Sequence, residues 1–165
     1  MQSWGQVHTL SVEPQLEGSM RTINEITGVI VDAAIKVHRT LGPGLLESVY
    51  EAVMRIELEK RGLKVESQVP IPLVYEDVIF ENAFRLDHLV EERVIVEYKS
   101  VETMAPVHGM RLLTYLRLAK IPVGLLINFG APTLKEGLRR IVNGLSPSDS
   151  LRHSDHSRVN SAPQQ

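Results

Sequence analysis

The sequence predicts a three-layer α/β domain, a mixed sheet built on one charged hairpin with helices on both faces. Three stretches carry this expectation. Residues 22–61 hold two segments with apolar residues at helical spacing, and Phe84 to Ser100 reads as two strands joined by a polar turn. A helical stripe at 107–119 then leads into the short apolar run Val123 to Phe129, the pattern of a buried strand. A length of 165 residues with 43% hydrophobic and 23% charged residues suits one domain with its own core. The expected division is a leader at 1–20, a folded domain at 21–143 and a disordered tail at 144–165, because neither end sustains an apolar period. Trp4 is the one large aromatic residue of the leader, and His153 and His156 in the tail are too sparse for a metal site.

Thr22-Ile23-Asn24-Glu25 has the form of a capping box, and Ile23, Ile26, Ile30, Ala33, Ala34, Val37 and Leu41 follow at helical spacing. His38, near the end of this helix, is expected to pack or to meet the negative helix terminus. Gly42-Pro43-Gly44 breaks the helix, and a second runs from Leu45 to Arg61, where Gly62 stops it. Lys64 to Tyr75 forms one irregular strand, in which Pro70 and Pro72 limit the hydrogen-bond ladder. After a polar turn around Glu76 and Asp77 the chain passes through Val78 to Phe80 into the hairpin, whose first strand is expected at Phe84 to Val90. Leu134, Leu138, Ile141 and Val142 mark a last helix.

The hairpin places Asp87, Glu97 and Lys99 inside apolar strands. A three-residue loop at 91–93 pairs Asp87 with Glu97 on one face, whereas a two-residue Glu91-Glu92 loop puts them on opposite faces. The three-residue loop is expected, since two-residue turns favour residues that tolerate positive φ and this tip has neither Gly nor Asn. Lys99, two residues beyond Glu97, points the same way, and His88 points to the other face. One reading is a structural salt bridge on a half-exposed sheet. The other is a site for a hard divalent cation such as Mg2+ or Mn2+, held by the two carboxylates, with Lys99 beside an attacking water or a phosphate. The apolar run Val94-Ile95-Val96 favours the second, because it marks a strand covered on both faces, where unpaired charge costs several kcal/mol.

Asp87 followed by Glu97-Tyr98-Lys99 resembles the signature of the PD-(D/E)XK nuclease superfamily, and Gly44-Leu45-Leu46-Glu47-Ser48-Val49-Tyr50 resembles the GxxExxY family within it. The likeness runs from about Met20 to Asn143. It implies a restriction-endonuclease-like αβββαβ core with an additional helix before it. It further implies a metal-dependent nuclease acting on DNA or RNA, in which Asp87 and Glu97 hold the metal, the Tyr98 carbonyl adds a ligand, Lys99 assists the nucleophile and Glu47 supports the site by reaching the metal as a third carboxylate, directly or through water. Tyr50 shares the face of Glu47 and is expected to orient it or pack. Arg111-Leu112-Leu113-Thr114-Tyr115 resembles the Gln-x-x-x-Tyr element of some of these nucleases, with arginine where glutamine is usual. Arg111 and Tyr115 are therefore the candidate substrate-binding residues. The alternative is a catalytically inactive member that keeps the fold as a nucleic-acid or protein adaptor.

Composition narrows the classes further. The absence of cysteine excludes disulfides, thiolate nucleophiles and Cys-ligated zinc. No run of about 18 apolar residues and no basic-then-apolar N-terminus is present, so neither a membrane span nor a secretory signal is expected, and the cytoplasm is the default. A net charge of −2 argues against passive coating of nucleic acid. It leaves room for a local groove lined by Arg85, Lys99, Arg111, Arg117 and Lys120.

Overall fold

The computed structural model describes residues 20–144; the expectations for the leader, Trp4, the tail and its two histidines lie outside the described residues. Two helices open the fold. Helix α1 (Ile23–Leu41) starts at the expected capping box, with the Glu25 N–H donating to Thr22 Oγ1 at 3.2 Å and the Thr22 N–H to Glu25 Oε2 at 2.6 Å. His38 packs near its end, Nε2 lying 2.9 Å from the Ala131 carbonyl and the ring stacking on Phe129. After the break, in which Gly44 takes a φ of 106° that few side-chain-bearing residues tolerate, α2 runs over Glu47–Lys60.

Strands β1 (Val65–Tyr75), β2 (Val78–Val90) and β3 (Val94–Lys99), helix α3 (Pro106–Ala119) and strand β4 (Val123–Asn128) complete the αβββαβ core behind the extra helix α1. The sheet order is β1-β2-β3-β4-β5, with β3 and β4 parallel and the other pairs antiparallel. Helices α1 and α2 cover one face over a cluster that includes Ile30, Tyr50, Met54, Val96, Tyr98 and Leu125. Helix α3 covers the other face over Ile71, Leu86, Ile95, Leu112, Leu116 and Leu126. Each large aliphatic side chain so buried contributes roughly 1.5–3 kcal/mol, which lets the domain carry a costly charged site.

Three expectations change. The C-terminal helix does not form: α4 is a four-residue turn at Leu134–Gly137, and Leu138–Val142 is strand β5, antiparallel to β4. Apolar residues at 134, 138, 141 and 142 fit a helix period, but the β-branched Ile141 and Val142 fit the vacant edge beside β4. The first hairpin strand starts at Val78 rather than Phe84, as the 13-residue β2, which pairs with β1 to make a long ribbon ending in exposed Val74, Tyr75, Val78, Ile79 and Phe80. The hairpin register is as expected, but its tip is not: Glu91 and Glu92 both take positive φ, with Arg93 as the extra residue and its N–H donating to the Val90 carbonyl at 3.0 Å. Lys64 meets the strain there. Its N–H donates to Glu91 Oε1, its carbonyl accepts the Glu91 N–H, and its ammonium pairs with Glu92.

Candidate active site

Pairing of β2 with β3 runs Val90 with Val94, Leu89 with Ile95 and His88 with Val96, which sets Asp87 opposite Glu97. At that point side chains take over from the backbone ladder. The Asp87 N–H donates to Glu97 Oε1 at 3.3 Å, and the Tyr98 N–H donates to Asp87 Oδ2 at 2.8 Å. Each carboxylate thus bridges to the other strand, and the two stand side by side.

Glu97 is buried and Asp87 half-buried. Burial pushes the Asp87 carboxyl up to about 6, with the nearby charges of Glu51 and Glu47 adding to the rise and the Tyr98 N–H and Lys99 opposing it. Burial and then the charge of Asp87 push Glu97 up to about 8. Lys99 extends its ammonium to the Tyr98 carbonyl and, at 3.3 Å, to Oε1 of Glu47 at the first residue of α2. Asp87, Glu97, Lys99 and Glu47 are therefore brought together, while Tyr98 contributes its carbonyl to Lys99. Behind the site the buried Tyr98 hydroxyl lies 2.8 Å from Nδ1 of His88, which burial holds near 4 and therefore neutral at physiological pH.

The GxxExxY stretch acts as a bracket for Glu47. Tyr50 stacks on Phe129 with ring centroids 4.4 Å apart, its hydroxyl donates to the Gly42 carbonyl, and it accepts the Leu45 N–H. Ser100 Oγ donates to the Leu45 carbonyl at 2.7 Å, tying the end of β3 to the same loop. Tyr115 is buried on α3 against Phe84, close enough to Glu97 for that charge to help raise its phenol. Arg111 is exposed one turn earlier on α3 and pairs with no carboxylate among the described residues, nor do exposed Arg85, Arg117 and Lys120.

Sequence reasoning missed three residues here. Asn128, buried at the end of β4, accepts the Val101 and Gly130 N–H groups and donates to the Val101 carbonyl, fixing the chain just beyond Lys99. A polar residue closing an apolar strand is the signal that could have found it. Glu51, four residues after Glu47, faces the same side of α2, and Gln68 of β1 donates to its Oε1 at 2.6 Å.

The donor set suits a hard cation. Two oxygen ligands carry negative charge that only Lys99 answers, so their surplus draws either protons or a divalent ion. No group of three His, Asp or Glu gathers among the described residues, so Glu47, whose Oε1 lies 3.3 Å from the Lys99 ammonium, is not gathered with Asp87 and Glu97 as a third carboxylate, and those two would be the charged ligands with water making up most of the remainder, as is usual for Mg2+.

An α/β sheet presenting two strand carboxylates and a strand lysine at the parting of two strands defines a nuclease-type fold. Its family model matches residues 24–141, and the chain belongs to the PD-(D/E)XK nuclease superfamily. Members of this superfamily generally use divalent metals. Among solved structures the chain is similar to the crystal structure of SSO0001, at 15% identity over 77% of this chain and 70% of that one, with a TM-score of 0.42. No curated protein matches it. No described helix is long and apolar enough to cross a membrane.

Proposed function

We propose that the chain is a metal-dependent nuclease of the GxxExxY type that hydrolyses phosphodiester bonds of DNA or RNA. The observation that carries this reading is the pairing of buried Glu97 with half-buried Asp87, kept at a cost to the fold, with the Lys99 ammonium on the adjoining backbone carbonyl. Asp87 and Glu97 would hold Mg2+ or Mn2+, with the Tyr98 carbonyl and Glu47 at the margin of the ligand set. The ion, when bound, supplies charge neutralisation at the scissile phosphate. Lys99 holds the attacking water against that phosphate and offsets the charge that develops on it. Glu47 keeps the lysine extended toward the site rather than toward solvent. Arg111, exposed and without an acidic partner among the described residues, grips a neighbouring phosphate, while Tyr115 walls the site beside Glu97.

The second reading, an inactive nuclease-fold adaptor, draws on one observation. The site is internally satisfied, each strand carboxylate accepting a backbone N–H and Lys99 pairing with Glu47. Incubating the purified protein with single- and double-stranded DNA and RNA in Mg2+, Mn2+ or chelator separates the two. The nuclease reading expects metal-dependent cleavage, lost in Lys99→Ala while the far-ultraviolet circular dichroism is unchanged. It also expects millimolar Mn2+ to raise the Tm, since a ligand of the native state alone stabilises by mass action. Absence of both effects in the parent protein would remove the nuclease reading and leave the inactive fold.

A further inference from the structure

The β1–β2 ribbon changes faces in its middle. Val65 packs with the α1–α2 cluster, yet Val69 and Ile71, at even separations along the same strand, pack with the α3 cluster. Strand β2 does the same, Val90 joining the first cluster while Leu86 and Phe84 join the second. Side chains at even spacing share a face in a regular strand, so each strand breaks its alternation once. Both breaks fall at one place. Pairing runs from Ser67 with His88 to Val69 with Leu86 and omits Gln68 and Asp87 between them. Gln68 has a φ of 55°, a left-handed conformation that costs a non-glycine residue energy and that recurs at functional sites.

The side chain of this strained residue is anchored. Its Nε2 donates to Glu51 Oε1 at 2.6 Å, joining β1 to helix α2 one turn beyond Glu47. On the other side of Asp87 the β2–β3 ladder has also given way to carboxylate contacts. Asp87 thus sits where the ribbon turns away from β3, and Gln68 is the residue across from it that makes the turn.

We propose that Gln68 and Glu51 form a positioning latch for the nuclease site, an inference that rests on the proposed function. The left-handed backbone at Gln68 kinks the ribbon, and the amide-to-carboxylate bond fixes that kink against α2. Together they hold the Asp87 carboxylate on the Tyr98 N–H and beside Glu97, the geometry in which a cation is bound. Neither residue touches the cation or the substrate.

Gln68→Gly keeps the left-handed backbone accessible and removes the amide, while Glu51→Ala removes the acceptor from the opposite side. Loss of this hydrogen bond to a charged group should speed exchange of the Tyr98 amide about tenfold or more in metal-free protein. Both variants should also weaken Mn2+ binding about tenfold by calorimetry, and the double variant should lose no more than either alone. Glu51→Gln, which keeps an acceptor oxygen but no charge, should fall between the parent and Glu51→Ala. The latch is refuted if Tyr98 exchange is unchanged in both single variants, if their effects add, or if Glu51→Gln behaves like Glu51→Ala. Should the parent bind no Mn2+, the nuclease reading fails by itself, and Tyr98 exchange in the metal-free protein still decides the latch.

Discussion

Replacing Glu97 by glutamine should stabilise the metal-free protein at alkaline pH and do nothing at acid pH. The carboxyl stands at about 8 in the folded chain against an ordinary 4.5, and Asp87 at about 6 against 3.8. A raised folded value means the native state binds more protons than the unfolded chain across that window. Stability from these groups is therefore full below about pH 4 and declines as pH rises toward 8. At about 1.4 kcal/mol for each pH unit separating folded and unfolded values, the rise that Glu97 and Asp87 share as neighbouring carboxyls amounts to several kcal/mol. His88, held near 4, contributes the opposite slope as pH rises from about 4 to 6.5, so the parent curve by itself mixes two signs. The difference between Glu97→Gln and parent cancels it. Urea unfolding in chelator from pH 4.5 to 8.5 should show that difference growing from about zero to several kcal/mol in favour of the variant. Saturating Mn2+ should reverse the order at pH 8, because only the parent keeps both ligands. A variant less stable than the parent at pH 8 in chelator, or a difference independent of pH, would refute the reasoning.

Two further substitutions concern Arg111 and Tyr50. Arg111→Gln should weaken nucleic-acid binding and reduce the slope of log affinity against log salt by about 1, leaving Mn2+ affinity nearly unchanged; tighter Mn2+ binding with newly gained cleavage would mean that the arginine obstructs the site. Tyr50→Phe keeps the stack on Phe129 and loses the hydroxyl contacts to Gly42 and Leu45, so urea unfolding should register a loss of about 1–3 kcal/mol.

Much of the site was legible because it depends on short-range rules. The pairing of Asp87 with Glu97 followed from a period of two and a three-residue loop, and the capping box from four adjacent residues. The three-residue loop formed, but not because its tip avoids positive φ. Glu91 and Glu92 adopt positive φ despite their side chains, because Lys64, nearly thirty residues earlier, bonds to both. Strand β5 was hidden for a related reason: the spacing of Leu134, Leu138, Ile141 and Val142 fits a helix, and only the open edge of β4 selects a strand. The face change at Gln68 was equally out of reach, since a glutamine in a strand gives no local sign of a left-handed backbone, and its partner Glu51 lies on another element.

The exposed end of the β1–β2 ribbon bears on how the protein behaves at high concentration. Strand β1 is an edge of the sheet, and Val74, Tyr75, Val78, Ile79 and Phe80 are about half to two-thirds exposed, the profile of a strand that recruits other strands. Pro70 and Pro72 remove two N–H donors from that edge, and Glu76, Asp77 and Glu81 give the end of the ribbon negative charge with no Lys or Arg between Ile71 and Phe84. Two such ends repel before their apolar faces can meet. The segment most exposed to association is thus also the one furnished with residues that oppose it.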